Sequence, residues 1–135
     1  MSGIESRYFA GVRTGELALE RIDAGLALLT ITGEHDLSTA PELRRRLEEV
    51  LGEGTGVVVD LSRATFIDSS ILGVILDAKR RAAEAKVGYA VVHTNGADPV
   101  DRVLEVTGLR AELPVHTARE AATSAALEGS RKSSR

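Results

Sequence analysis

The run Val57-Val58-Val59-Asp60-Leu61 constrains the fold more than any other part of the chain. A strand with one solvated face alternates apolar and polar residues. A run that is apolar at nearly every position, set between turn signals, suits a central strand buried on both faces of a parallel sheet. The rest of the pattern supplies what such a strand needs. Leu17 to Ile22 alternates and predicts a half-buried strand; Asp23-Ala24-Gly25 predicts a turn, and Leu26 to Gly33 a second strand antiparallel to the first.

Gly33-Glu34-His35-Asp36 is read as a loop leaving the sheet. Ser38 and Thr39 are cap candidates for a helix opening at Pro41 and running to about Leu51, with Leu43, Leu47, Val50 and Leu51 inward and Gly52 and Gly54 ending it. After the central strand, a helix is expected from near Ser69 to about Ala85 on an inward stripe of Ile71, Val74, Ile75, Ala78 and Ala82. Val87 to His93 predicts a further strand, closed by Asn95-Gly96. Asp98-Pro99-Val100-Asp101 starts a third helix that Gly108 ends, and a short strand lies around Leu113 to His116. Thr117-Ala118-Arg119-Glu120 has the form of a capping box for a fourth helix through about Leu127.

The sum is an α/β fold: one domain over residues 15–128 with a mixed, mostly parallel sheet, an antiparallel N-terminal strand and about four helices. Residues 1–14 are expected to be a flexible lead-in and residues 129–135 a disordered tail.

Composition removes several classes of function. There is no cysteine, which excludes disulfides and thiolate chemistry and suits a reducing, cytoplasmic setting. No segment approaches a membrane span and none resembles a signal peptide. A net charge of −3, with Tyr8, Phe9, Phe66 and Tyr89 as the only aromatics, argues against direct nucleic-acid binding. The runs Arg44 to Arg46 and Lys79 to Arg81 read as solvated helix faces, because Glu42–Arg46, Arg44–Glu48, Arg45–Glu49, Asp77–Arg81 and Arg80–Glu84 are all opposite charges at (i, i+4). His35, His93 and His116 sit singly. No nucleophile elbow, P-loop, dinucleotide fingerprint or metal-ligand spacing is present, so no enzyme, cofactor or metal site is expected.

One segment is left to carry function: Thr65-Phe66-Ile67-Asp68-Ser69-Ser70-Ile71-Leu72-Gly73-Val74-Ile75-Leu76. Asp68, Ser69 and Ser70 stand where an apolar helix begins, and any one of them satisfies an N-cap. Capping needs one polar side chain and three are supplied. A serine at a helix N-terminus also accepts a phosphoryl group without melting the fold, because the amide dipoles point at it. The residues alone leave both readings open.

The same segment resembles the signature of the STAS family of anti-sigma factor antagonists, roughly F-(I/M)-D-S-(S/T)-G-L-G-V. Thr32-Gly33-Glu34-His35-Asp36 is similar to that family's G-E-x-D loop, Val58 to Ser62 to its preceding strand, and Thr107-Gly108-Leu109 to its S/T-G-L after the third helix. The resemblance runs from about Gly15 to Leu127. It implies a binding module that, when unphosphorylated, binds an anti-sigma factor and frees the sigma factor. That anti-sigma factor is also a serine kinase with a histidine-kinase-like ATP fold. The kinase inactivates its antagonist by phosphorylating the serine after the signature aspartate, here Ser69, and a metal-dependent serine phosphatase reverses the step.

By the same matching, Asp36 and Asp68 shape the phosphorylation site or docking surface, and Ser70 is the helix cap. Leu72, Gly73 and Leu76 belong to the docking face, with core packing as the alternative for the two leucines. Ile71 replaces the family's usual glycine and is expected to add bulk beside Ser69. Two rivals remain: a STAS regulatory subunit of a membrane (phospholipid) ABC transporter, and a receiver domain phosphorylated at Asp60, which lacks the acidic pair and lysine it would need.

Overall fold

A computed structural model describes residues 15–93, 99–108, 111–113 and 115–133, with side chains through Gly129. Five strands, β1 (Glu16–Asp23), β2 (Leu26–His35), β3 (Gly56–Ile67), β4 (Tyr89–Val92) and β5 (Val115–His116), form one sheet in the order β1-β2-β3-β4-β5. β1 pairs antiparallel with β2 through the turn at Ala24-Gly25, and every later pairing is parallel. Four helices accompany them: α1 (Ala40–Gly52), α2 (Ser69–Ala85), α3 (Pro99–Thr107) and α4 (Arg119–Ser133).

Parallel strands in sequential order put the helices that join them on one face when every crossover has the same hand. Side-chain alternation along the strands obeys this. Ala27, Leu29 and Ile31 of β2, Val57, Val59 and Leu61 of β3, and Val91 of β4 share one core with α1, α2 and α3. Leu26 and Leu28, Val58, and Ala90 and Val92 meet Ala122 and Ala126 of α4 on the other face. The central apolar run is therefore covered on both sides, as its composition requires. Glycine lets α4 approach closely: a Cβ at Gly88 would stand 1.8 Å from the Ala126 carbonyl oxygen.

Several boundaries differ from the sequence reading. β2 continues through His35, so Gly33 to His35 belongs to the sheet, and β3 continues through Ile67. Two register shifts accommodate the extension and break the simple alternation that marks a strand. α2 ends in a Schellman motif, with the Val87 amide donating to the Ala82 carbonyl (3.0 Å) and the Lys86 amide to that of Ala83 (3.2 Å). Lys86 takes the left-handed position at φ 61°, so Val87 leaves the strand and caps the helix. α4 begins at Arg119, which puts Ala118 rather than Thr117 before its first residue, and it runs past Leu127 to Ser133. Residues 129–133 are thus helical, not a disordered tail. The helix-forming Glu128, Arg131 and Lys132 carry it past Gly129. The lead-in over residues 1–14, the turn at Asn95-Gly96, Asp98 and Leu109 lie outside the described residues.

The buried carboxylate of Asp60 faces α4. Arg119 donates to its Oδ2 from Nη2 at 2.7 Å and from Nε at 3.2 Å, and the Ser62 amide donates to Oδ1 at 2.8 Å. Burial would raise this carboxyl's pKa, but the bonds from Arg119 and Ser62 outweigh it and hold it below its ordinary value. Asp60 thus ties the central strand to the start of α4.

Candidate functional site

β2 and β3 end side by side. Their last paired residues are His35 and Ile67, and each is followed by an aspartate. Both aspartates fold back onto a serine two residues on. Asp36 Oδ1 accepts from the Ser38 amide (2.9 Å) and hydroxyl (2.6 Å). Asp68 Oδ1 accepts from the Ser70 amide (3.0 Å) and hydroxyl (2.6 Å), and from the Ile71 amide (3.1 Å). Asp-x-Ser therefore occurs twice, as two turns of one design on neighbouring strand ends. In each the middle residue is exposed: Leu37 at 71% in the first turn and Ser69 in the second.

The two turns lead into their helices differently. Asp68 has extended backbone and caps α2 directly, so Ser69 is the first helical residue. The cap is Asp68 and not Ser70, whose hydroxyl donates to the capping carboxylate. Since Asp68 already occupies the amides of Ser70 and Ile71, these are not open to a group on Ser69. No hydrogen bond from the described residues holds the Ser69 hydroxyl.

After Asp36 the chain makes one more turn, with the Asp36 carbonyl accepting from the amides of Thr39 (3.0 Å) and Ala40 (3.2 Å). Neither cap candidate for α1 does what was expected of it. Ser38 serves Asp36. Thr39 occupies the cap position without a side-chain bond to the helix, its hydroxyl lying 3.0 Å from His35 Nδ1 and 3.2 Å from the Asp36 carbonyl.

His35 holds this first turn from beneath. It is 2% exposed, with Nε2 3.0 Å from the Thr32 carbonyl and Nδ1 on Thr39. A carbonyl can only accept, so Nε2 carries the proton and donates there. The ring lies against Gly15, where a Cβ would come within 2.0 Å of Nε2. The hydroxyl and amide of Ser38, and to a lesser degree the proximity of His35, keep the Asp36 carboxyl below its usual pKa, so it is ionised at neutral pH.

The structure thus brings Asp36, Asp68, Ser69 and Ser70 to one end of the sheet and separates two other candidates from them. Ile71 and Leu72 are buried in the core shared with α1 and α3. Ile71 adds no bulk to the surface beside Ser69, because its position in the first turn points inward, and Leu72 presents nothing for docking. Leu76 is half-buried and packs on the same core. Gly73 is exposed with open space around it, and it lines a groove of about 610 Å3 between α1 and α2 together with Leu37, Pro41, Ser70 and Val74.

Ion pairs border that groove, and their partners are only partly those expected. Glu42–Arg46, Arg45–Glu49 and Asp77–Arg81 form within their helices. Arg44 instead crosses to Asp77 (2.9 Å), Arg81 also crosses to Glu48 (3.2 Å), and Arg80 turns back to Asp77 (3.0 Å). A periodicity argument sees one helix at a time and misses pairs between two.

Leu37 and the Asp60–Arg119 pair were not singled out from sequence. Leu37 carried a usable signal, a lone leucine in the otherwise polar stretch Gly33 to Thr39 that no helix or strand period explains. Arg119 is 59 positions from Asp60, and no local pattern joins them. Among the described residues, no cluster of three or more His, Cys, Asp or Glu is placed to hold a metal ion, and no helix is long and apolar enough to cross a membrane.

Comparison with known proteins agrees with this fold. Residues 19–115 match the family profile described as MlaB, STAS domain. The chain is 30% identical over 94 residues to an anti-sigma F factor antagonist of Paenibacillus polymyxa, covering 68% of this chain and 79% of that one. Among solved structures it resembles an anti-sigma factor antagonist from Mycobacterium paratuberculosis, with a TM-score of 0.73 at 24% identity over 84% of this chain and 94% of that one. It also resembles the phosphorylated form of the Bacillus cell fate determinant SpoIIAA, with a TM-score of 0.62 at 20% identity over 81% and 98%. At these identities the two structural likenesses show the fold alone.

Proposed function

We propose that this chain, which belongs to the STAS domain family, is a cytoplasmic anti-sigma factor antagonist switched by phosphorylation of Ser69. In the unphosphorylated form the face around Ser69 binds an anti-sigma factor that is also a serine kinase with a histidine-kinase-like ATP fold, and the sigma factor is released. The kinase transfers the γ-phosphoryl group of ATP to Ser69 Oγ: the O–P bond forms, the bond to ADP breaks and the hydroxyl proton leaves. A serine phosphatase restores the free hydroxyl. The chain contributes binding and an acceptor hydroxyl, not catalysis.

The observation that carries this reading is the exposed Ser69 at the first position of α2, next to a capping aspartate that has already claimed the nearest amides. A phosphoryl group adds about 1.5 to 2 negative charges. Here it would meet the carboxylates of Asp68 and, on the neighbouring turn, Asp36, with no cap amide of Ser70 or Ile71 left to neutralise it. The switch then acts through charge presented to the partner, not through rearrangement of the helix. The name of the curated relative supports the partner class.

Binding to the purified anti-sigma kinase tests the reading. Ser69→Ala should stay folded, resist phosphorylation and bind constitutively; Ser69→Asp should bind poorly. Tight binding by Ser69→Asp contradicts charge repulsion as the switch.

A second reading has one observation in its favour, the match to a STAS profile described as MlaB. It makes the chain a regulatory subunit of a membrane transporter, with no phosphorylation cycle. A pull-down that recovers transporter subunits and no kinase would select it.

A further inference from the structure

Among the described residues, every glycine but one has a reason inside the fold to lack a side chain. Gly33, Gly54 and Gly108 take the left-handed region, at φ 84°, 81° and 73°. Gly25 sits in the β1–β2 turn and Gly52 closes α1. A Cβ at Gly15, Gly56 or Gly88 would stand 2.7 Å or less from a neighbouring atom, and Gly129 meets Gly88 across 3.5 Å. Gly73 has none of these. It lies in the second turn of α2, outside the left-handed region and exposed, and a Cβ added to it would meet nothing within 4 Å. A glycine in such a place weakens its helix, because it gives up more backbone entropy on folding than other residues do.

What this glycine leaves open is one flank of Ser69. The two residues are four apart, neighbours on one face of α2. The Cα–Cβ bonds of an α-helix tilt toward its N-terminus, so a side chain at position 73 would lie over the preceding turn, beside Ser69. The other helix neighbours of Ser69 are turned away from it. The Ser70 hydroxyl donates back to Asp68 Oδ1 at 2.6 Å, and Leu72 is buried.

We infer that Gly73 controls access to the Ser69 switch: its missing side chain keeps the flank of the hydroxyl clear for phosphoryl transfer, at the expense of helix stability. This rests on the proposed function and deepens it. Transfer requires the attacking hydroxyl and the leaving oxygen to lie roughly in line through the γ-phosphorus, with the kinase packed around the nucleotide. A side chain leaning over Ser69 from the next turn would stand in that approach.

Gly73→Ala and Gly73→Gln in the full chain separate access from stability, because the two effects rank the variants differently. Alanine is the better helix former, and glutamine has the longer side chain. In urea titration both should have a higher midpoint than the wild type, alanine the higher of the two. With the purified anti-sigma kinase and γ-labelled ATP, the initial rate of Ser69 labelling should fall by less than about threefold for Gly73→Ala and by about tenfold or more for Gly73→Gln. Ala83→Gln, exposed near the other end of α2, should be labelled at the wild-type rate. A wild-type rate for Gly73→Gln, equal losses for the two Gly73 variants, or a midpoint below that of the wild type for either overturns this inference and leaves the proposed function standing. A wild type that takes no label at Ser69 overturns both.

Discussion

Asp68 and Ser69 are neighbours in the chain with opposite relations to the fold. Asp68 accepts two helix amides and a hydroxyl, so Asp68→Ala should lower unfolding stability by about 1–2 kcal/mol in urea titration. Ser69 is exposed, and Ser69→Ala should change stability by less than about 0.5 kcal/mol. Equal losses for the two variants would contradict the division of labour between cap and switch. Ile71 illustrates how a residue can be misplaced when only its neighbours in sequence are considered. Its distance from Ser69 along the chain suggested a surface role, but the first turn of α2 points it into the core at 0% exposure. Restoring the family's usual residue by Ile71→Gly should therefore cost about 3–5 kcal/mol, the cavity and the glycine's backbone entropy together. A near-neutral denaturation midpoint for this variant would refute the burial.

At the scale of elements, the Asp60–Arg119 pair is what fastens α4 to β3, and its pH dependence has a definite sign. The folded-state pKa of Asp60 is depressed, so its contribution is complete above the unfolded value of about 4 and is lost as pH falls through the folded value. Between about pH 6 and about pH 3, the wild type's denaturation midpoint should fall more steeply than that of Asp60→Asn. Identical slopes would contradict the pair's role. Removing one partner at neutral pH should cost about 1–3 kcal/mol.

Which elements exist was largely legible in the sequence, because each strand and helix carries its own apolar period. Their ends were less so. Arg63 to Phe66 of β3 is a strand only because Thr32 to Glu34 of β2 pair with it, and the register shifts there hide the alternation. The candidate site divides along the same line. Asp36, Asp68 and Ser69 were readable from local motif. That the two Asp-x-Ser turns lie together and that His35 supports the first from below depend on long-range pairing and packing.

For the molecule as a whole, the sheet has its two faces covered, one by α1 to α3 and the other by α4, and the ends of β2 and β3 deliver both aspartate turns to the surface. A rigid platform of this kind suits a switch that changes charge and not shape. The phosphorylation of Ser69 is the central claim, and mass spectrometry of peptides spanning Ser69 and Ser70, from protein isolated from its native cells, tests it most directly. Phosphate localised to Ser69, with Ser70 unmodified because its hydroxyl is engaged by Asp68, is the expected result. A well-covered peptide that stays unmodified through growth and stress would contradict it.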